Sequence, residues 1–228
     1  MTGHTRALLA EAAGTFMFFF IGAGAIVATN GEDLVAVALA VAVSSFGALS
    51  GGHFNPAVTF GLAVASKHPW TRVLTYWAAQ AIGALVAGFA LRYAFEFDPT
   101  ALARTHIGTP GLGGGVTVLT AIVVEAVLTV FLLWAVFGTA VSPLAPRIAG
   151  FGIGLTVAAD ILVGGGITGA SMNPARWLGP AVAANFYDNW FVYIAGPFLG
   201  AALAGLSYRY VFAPPEHRAP ATPLAPRA

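Results

Sequence analysis

Gly169-Ala170-Ser171-Met172-Asn173-Pro174-Ala175-Arg176 is a short polar stretch ending in an arginine, set between two hydrophobic runs that are too long for a soluble fold. Its centre is repeated in Gly51-Gly52-His53-Phe54-Asn55-Pro56-Ala57-Val58, so the tripeptide Asn-Pro-Ala occurs twice. The two asparagines, Asn55 and Asn173, are 118 positions apart. The two copies therefore divide the chain into two halves.

Each Asn-Pro pair predicts the start of a helix. Proline suits the first helical position, because its fixed φ fits and its missing N–H would be unpaired there anyway, and the preceding asparagine can serve as the N-cap. A helix that begins inside a membrane directs its unpaired N–H groups and its positive dipole end into the space it faces. Irregular backbone at that depth is tolerated only within protein or beside water. Two such starts at corresponding places predict a passage or binding site between the halves.

The composition is that of a membrane protein. The 228 residues are 58% hydrophobic and only 8% charged, against about 25% charged in an average soluble domain. The net charge of +1 favours neither nucleic acid nor an acidic partner. The absence of cysteine excludes disulfides, thiol nucleophiles and cysteine metal sites. The sequence has no phosphate loop, no metal-ligand spacing and no nucleophile with a base, so we expect neither an enzyme nor a cofactor.

Six segments have about the 20 apolar residues that a spanning helix needs. They are residues 7–29, 34–49, 73–95, 116–141, 148–163 and 190–212. The second and the fifth are short, and each leads directly into an Asn-Pro-Ala stretch. The helices beginning at Pro56 and Pro174 have only about ten residues, enough to cross half of the hydrocarbon core. The prediction is an all-α membrane protein with six transmembrane helices and two re-entrant half-helices that enter from opposite faces.

Three spans in each half place the second half upside down relative to the first, and the positive-inside rule tests the orientation. With both termini in the cytoplasm, the basic residues inside or at the inner boundary are Arg6, Lys67, Arg72, Arg147, Arg209, Arg218 and Arg227. Only Arg92, Arg104 and Arg176 lie outside or within the membrane. We expect one domain over residues 1–212, made of two inverted repeats at about 1–100 and 116–212. Residues 213–228, rich in proline, are expected to form a disordered cytoplasmic tail.

The repetition extends beyond the tripeptide. Glu11 and Thr15 of the first span are matched by Glu125 and Thr129 of the fourth, 114 positions later. The third and sixth spans share a pattern of small residues that begins at Tyr76 in one and 117 positions later in the other. Small residues at spacings of four let membrane helices approach closely. The pattern therefore indicates a duplicated unit whose small residues serve helix packing.

With these motifs the sequence resembles the major intrinsic protein family, the aquaporins and aquaglyceroporins. The resemblance covers almost the whole chain, and two Asn-Pro-Ala motifs with an arginine after only the second are highly specific. It implies one passive pore per subunit for water and small neutral solutes, within a lipid bilayer. It also implies a homotetramer. We expect a bacterial plasma membrane as the location.

The resemblance implies that the two Asn-Pro-Ala motifs meet at the pore centre. Their residues are Asn55, Pro56, Ala57, Asn173, Pro174 and Ala175. Each asparagine can cap its helix with the side-chain oxygen and turn its NH₂ group into the passage. Two positive half-helix ends there would repel cations and interrupt a chain of proton-carrying waters.

The resemblance also implies an outer constriction formed by Val35, Ile161, Ala170 and Arg176. A buried arginine could instead be a structural ion-pair partner, although charges inside a membrane usually mark the transport route. Water-selective members have Phe and His at the first two positions, and glycerol facilitators have Trp and Gly or Phe. This chain matches neither. Ile161 and Ala170 resemble the nodulin-like channels, which implies passage of water with glycerol or with undissociated metalloid acids such as boric or arsenous acid.

Other polar or flexible positions leave two interpretations open. His53 is either pore-lining near the cytoplasmic vestibule or a polar residue packing its loop. The glycines of residues 51–52 and 164–166 are expected in loops whose carbonyls line the passage. Glu11 and Glu125 invite a proton relay, but the resemblance favours buried acids that hold the re-entrant loops. Asp160 is either structural, protonated or hydrogen-bonded to a neighbour, or affects permeation.

Three further functions remain open from the sequence alone. The channel could be strictly water-selective. Inverted repeats with broken helices also occur in secondary transporters, which couple to an ion and saturate. A junction or adhesion protein with a shut pore would use exposed loops, such as residues 96–115, as its partner surface.

Overall fold

The computed structural model describes residues 2–31, 50–146 and 149–213, and the regular structure assigned within these ranges is helical. The α-helices in chain order are α1 (Gly3–Ala28), α2 (Pro56–Val64), α3 (Val73–Ala94), α4 (Pro99–Thr105), α5 (Val118–Val136), α6 (Ala149–Thr168), α7 (Pro174–Ala184) and α8 (Val192–Ser207). The prediction of an all-α protein is confirmed for this part of the chain.

Four of the six predicted spans are confirmed as helices long and apolar enough to cross a membrane. Their bounds are Gly3–Ala28, Trp70–Ala94, Val118–Val141 and Gly150–Thr168. The sixth is α8, 16 residues long, continued by a π-helical turn over Tyr208–Phe212. The second predicted span, residues 34–49, lies outside the described residues, as do residues 214–228 of the predicted tail.

The two Asn-Pro-Ala stretches each open a short helix. Helix α2 has 9 residues and α7 has 11. At about 1.5 Å per residue, each reaches roughly half of the ~30 Å hydrocarbon core. Both helices have proline at their start and asparagine as the N-cap. The sequence therefore forms the two half-helices that its motifs predict.

The helices pack in a matched, crossed arrangement. Helix α1 lies against α3 in the first half, and α5 lies against α8 in the second. Each half-helix packs against the last spanning helix of the other half: α2 against α8, and α7 against α3. The two halves are thus interlocked through their half-helices, and the starts of these helices come together inside the protein.

Small residues make the helix crossings possible. A Cβ atom added at Gly83 of α3 would lie 2.2 Å from the carbonyl oxygen of Ala12 in α1. A Cβ added at Gly200 of α8 would lie 2.2 Å from the carbonyl oxygen of Ala126 in α5. Both distances are far shorter than a van der Waals contact. The predicted packing role of these small residues is confirmed.

The prediction that residues 164–166 form a loop is wrong. Helix α6 continues through them to Thr168, and the N–H of Gly169 still donates to the carbonyl of Gly165 at 3.1 Å. Gly164 is needed for packing, since a Cβ there would lie 2.4 Å from Cδ1 of Leu128 in α5. A helix pairs the backbone N–H and C=O groups at membrane depth better than a loop does. These glycines are therefore helical despite their conformational flexibility.

Candidate pore at the half-helix junction

Asn55 and Asn173 cap the two half-helices. Oδ1 of Asn55 accepts from the N–H of Ala57 at 2.8 Å, and Oδ1 of Asn173 accepts from the N–H of Ala175 at 2.9 Å. Each oxygen also receives a longer bond from the next N–H, at 3.4 Å and 3.3 Å. The caps fix the side-chain amides, so that each NH₂ group points away from its own helix.

The two NH₂ groups reach across the junction between the halves. Nδ2 of Asn55 donates to the carbonyl of Met172 at 2.9 Å, and Nδ2 of Asn173 donates to the carbonyl of Phe54 at 3.0 Å. An amide nitrogen carries two N–H groups. Each crossing bond uses one of them, which leaves a second donor on each asparagine beside the cavity that both residues line.

Glu11 and Glu125 hold the loops that lead into the half-helices. Glu11 accepts from the backbone N–H groups of His53 and Phe54 at 2.9 and 2.8 Å. Glu125 accepts from those of Ser171 and Met172 at 2.9 and 2.7 Å. Both side chains are fully buried. Loop N–H groups that would otherwise be unpaired inside the membrane therefore have a strong acceptor.

A side chain in each half completes the acceptor pattern. Nε2 of Gln80 donates to Glu11 at 2.7 Å, and Oγ1 of Thr168 donates to Glu125 at 2.7 Å. Each carboxylate thus accepts at least three hydrogen bonds, all from groups that position a loop or its neighbouring helix. This geometry supports a holding role for both acids over a proton relay.

A central cavity lies at the junction of the half-helices. Its volume is about 30 Å³, space for about two water molecules. The lining residues are Phe18, Phe19, Gly22, Ala23, Asn55, Leu132, Val157, Ile161, Ala170, Ser171, Met172, Asn173 and Arg176. The wall is therefore mostly apolar, with polar donors concentrated at the half-helix starts.

A second cavity of about 180 Å³ lies beyond the first. Its wall comes from the ends of α1 and α6 and from the loop between α4 and α5, with residues Ile26, Gly31, Gly108, Thr109, Pro110, Gly111, Ile161, Gly165, Gly169 and Arg176. Ile161 and Arg176 line both cavities. These two side chains therefore stand at the boundary between a small central space and a larger vestibule.

Arg176 is the buried cation at this boundary. It lies in the first turn of α7 and is only 8% exposed. Among the described residues, no hydrogen-bond partner lies within reach of its Nη1. Buried donors are nearly always paired. Because Arg176 lines both cavities, its guanidinium places positive charge and N–H donors at their boundary.

Of the other residues expected at the constriction, the structure describes Ile161 and Ala170 but not Val35. Ala170 is fully buried, adopts a left-handed φ of 44°, and lines the central cavity. Its N–H donates to Oγ1 of Thr168 at 3.2 Å. Val35 lies outside the described residues. The structure thus brings Ile161, Ala170 and Arg176 together.

His53 lies among aromatic rings in the loop that precedes the half-helix α2. Its ring centroid is 4.9 Å from that of His68 and 5.1 Å from that of Tyr76, and its Nδ1 is 3.1 Å from Oγ1 of Thr59. Gly51 and Gly52 lie in the loop just before it, both with positive φ. The two cavities described above have none of these three loop residues in their walls.

His68 lies in the connection between α2 and α3, outside the spanning segments, and its ring centroid is 4.6 Å from that of Tyr76. Burial, assisted by the neighbouring His53, lowers the pKa of His68 to about 4. The ring is therefore neutral near pH 7.

Asp160 is buried in α6, 4% exposed, directly before the pore-lining Ile161. Among the described residues, its Oδ2 has no hydrogen-bond partner. Asp160 is not part of the wall of either described cavity. The carboxyl group therefore lies behind the pore wall rather than in it.

Sequence reasoning missed two sets of residues. The first is the face of α1 that lines both cavities, including Phe18, Gly22 and Ile26. The sequence indicates this face only weakly, because α1 carries small and large residues but no polar stripe. The second is the pair Arg92 and Arg209, which donate to the ends of the half-helices. The sequence could have indicated this pair, because the two arginines are 117 positions apart, the same separation as the matched third and sixth spans.

The described architecture defines a class of protein: a membrane protein with two capped half-helices that meet at a narrow internal cavity. Comparison with known proteins agrees, because the family model described as "Major intrinsic protein" matches residues 2–208. The chain belongs to the major intrinsic protein family, whose members are aquaporin channels for water and small solutes. It is an integral membrane channel protein and not an enzyme.

Several plant proteins are similar over nearly the whole chain. The chain is 41% identical to the probable aquaporin TIP3-2 of Arabidopsis thaliana, with 97% of this chain and 90% of that protein covered. It is 43% identical to aquaporin TIP2-2 of Zea mays, with 91% and 87% covered. These relatives give no support for the expected bacterial host. The resemblance to nodulin-like channels stays a prediction from the filter residues.

The fold is also that of a solved channel. The crystal structure of the aquaglyceroporin from Plasmodium falciparum superposes with a TM-score of 0.81, covering 91% of this chain and 96% of that one. The sequence identity is 22%, so this likeness concerns the fold alone. The predicted aquaporin fold is confirmed.

Proposed function

We propose that the protein passes water together with a small uncharged polar solute, glycerol or an undissociated metalloid acid such as boric or arsenous acid, and excludes ions and protons. The observation that carries the proposal is the boundary between the two cavities. It combines the guanidinium of Arg176 with the apolar side chain of Ile161, and Ala170 lies in the wall of the central cavity beside them. A neutral solute with oxygen acceptors suits such a wall.

The donors lie in sequence along the path. A solute leaving the outer vestibule sheds part of its hydration and accepts a hydrogen bond from the guanidinium of Arg176. It then meets the remaining N–H of Asn55 and of Asn173 in the central cavity. Each bond replaces one to water, so passage needs no energy source and follows the solute gradient.

Ions are excluded by the same groups. The N-terminal ends of α2 and α7 carry partial positive charge and face the central cavity from both sides. Arg176 adds a full positive charge at the outer boundary. A cation would meet repulsion at both places. A water held between the asparagines accepts from them and donates outward in both directions, which interrupts proton hopping.

Selection among neutral solutes depends on the constriction residues other than Arg176. Val35, Ile161 and Ala170 are proposed to leave a wider and less polar opening than the Phe and His of water-selective relatives of the family. We also propose that both termini face the cytoplasm, that the subunits form a homotetramer, and that residues 1–212 form one domain of two inverted repeats with a cytoplasmic tail.

Strict water selectivity is the second candidate. The central cavity of about 30 Å³ favours it, because this volume holds about two waters and leaves little room for a larger solute. Under that alternative, Arg176 and the asparagines keep their roles, while the central cavity, rather than the constriction, rejects glycerol.

The test is swelling and shrinking of proteoliposomes, followed by stopped-flow light scattering, with water, glycerol, boric acid and arsenous acid. The proposal predicts faster entry of water and of at least one neutral solute than in empty liposomes. The double variant Val35→Phe with Ile161→His should suppress solute entry while sparing water. An equal loss of water and solute permeability would count against the proposed role of the constriction in solute selection. Saturation with dependence on an ion gradient would instead indicate a secondary transporter.

A further inference from the structure

Phe54 and Met172 occupy the same place in the two halves, directly before the capping asparagines. Both have a left-handed backbone, with φ of 49° and 52°. In both, the N–H donates to a buried glutamate and the carbonyl accepts from the asparagine of the other half. The backbones are therefore equivalent, and any difference between these positions lies in the side chains.

The surroundings of the two side chains differ because the repeat is imperfect. The ring of Phe54 packs into a gap at Gly14 of α1, where an added Cβ would lie 2.1 Å from Cε1 of the ring. The position 114 residues later, which matches Gly14 as Glu125 matches Glu11, is Leu128. Leucine has the side chain that Gly14 lacks, and Cδ1 of Leu128 would lie 2.4 Å from a Cβ added at Gly164.

Among the described residues, the glycine that accepts Phe54 is thus replaced by a leucine in the half that contains Met172. The described wall of the central cavity contains Met172 and not Phe54. Met172 is also only 2% exposed and belongs to an apolar cluster with Leu128, Val157 and Ile161. Of the two equivalent loop side chains, Phe54 and Met172, only Met172 belongs to the described wall beside the asparagines.

We infer that the Met172 thioether projects into the lumen beside the two asparagines and determines the size of solute that passes the centre of the pore. This inference rests on the proposed passage through the central cavity. The methionine side chain is unbranched and flexible, so it can yield to a passing molecule, and its sulfur is only a weak acceptor. Met172 is a specificity-determining residue in addition to the outer constriction.

The chain contains no cysteine, which permits a single-thiol test. The variant Met172→Cys should conduct water when untreated and lose most of its permeability after exposure to Hg²⁺ or a small methanethiosulfonate reagent, because the thiolate is the reactive group and here faces the lumen. The matched control is Phe54→Cys, whose side chain lies in the protein wall and should leave permeability unchanged by the reagent. The wild-type protein should be insensitive.

Substitutions that change the size of the side chain at Met172 test the same inference without a thiol reagent. Met172→Ala should raise the permeability of glycerol or boric acid relative to water, and Met172→Leu should leave that ratio near the wild-type value. Insensitivity of Met172→Cys, inhibition of both cysteine variants alike, or an unchanged ratio in Met172→Ala would each overturn the inference. A wild-type protein that conducts neither water nor solute would instead defeat the proposed function.

Discussion

Nη1 of Arg92 donates to the carbonyl oxygen of Ala183 at 2.8 Å, which joins the end of α3 to the C-terminal end of the half-helix α7. Arg209 makes the corresponding contact in the other half, from Nη1 to the carbonyl of Val64 at 3.4 Å. Carbonyls at a helix C-terminus are unpaired and carry partial negative charge. Each half-helix is thus held at its outer end by a guanidinium and at its inner end by an asparagine cap.

The substitution Arg92→Ala should therefore destabilise the protein. The loss of a charge-assisted bond to a helix end should cost about 1–2 kcal/mol. Thermal unfolding in detergent, followed by tryptophan fluorescence, measures the effect. Arg209→Ala should cost less, because its bond is longer. Arg6→Ala, at an exposed position near the N-terminus, is the control, and an equal change in all three variants would contradict the role.

Glu125→Gln should destabilise the second half of the protein more than the substitution of any exposed residue nearby. Glutamine has one acceptor oxygen and a donor NH₂ group, so Ser171 or Met172 would lose its acceptor while buried. Leaving a buried N–H unpaired costs about 1–3 kcal/mol. We expect a lower melting temperature together with reduced water permeability in proteoliposomes. Unchanged stability with altered proton flux would favour a relay role.

Arg176→Val should relax exclusion at the outer boundary. Removing the positive charge and its N–H donors should let small cations and protons approach the central cavity, where the half-helix ends still oppose them. Proton leak into liposomes carrying an internal pH dye measures the change. Water permeability should be retained. If neither proton leak nor solute selectivity changes, Arg176 does not act at the constriction.

Asp160→Asn should leave permeation unchanged and stabilise the protein slightly. The carboxyl is buried, and its Oδ2 has no hydrogen-bond partner among the described residues. A neutral amide of the same shape avoids the cost of burying a charge. Stopped-flow swelling and a melting curve of the same preparation provide both readouts. A change in solute permeability would show that Asp160 influences the neighbouring Ile161.

The stability should also fall at acidic pH through His68. Its pKa is lowered from 6.5 to about 4 in the folded protein, so between these values the unfolded state binds more protons, and stability is lost as the pH falls. Partial solvent access limits the loss to about 1 kcal/mol. The melting temperature should drop between pH 6.5 and 4, and less so in His68→Phe. An identical drop in that variant would contradict the assignment.

Much of this architecture could be predicted from sequence. The asparagine caps and proline starts of both half-helices follow from local chemistry, and the duplicated glutamates follow from repetition. The length of α6 could not be predicted from residue types. Gly164 looks like a loop residue, but it is a packing residue because Leu128 needs the space. This partner is distant in sequence.

The candidate site shows the same division. The asparagines and Arg176 are recognisable from their motifs, whereas the α1 wall and the different surroundings of Phe54 and Met172 depend on tertiary packing. The contrast between Gly14 and Leu128 is visible in the sequence only after the repeats are aligned. Its consequence for the lumen requires coordinates, because the path of a side chain depends on its neighbours and not on its own type.

The temperature dependence of water and solute entry into proteoliposomes tests the central claim most directly. If solutes pass through a preformed polar path at the half-helix junction, permeability should rise with temperature only as gently as diffusion in bulk water, for water and for the permeant neutral solute alike. A dependence as steep as that of protein-free bilayers, or entry that requires an ion gradient, would contradict a passive pore.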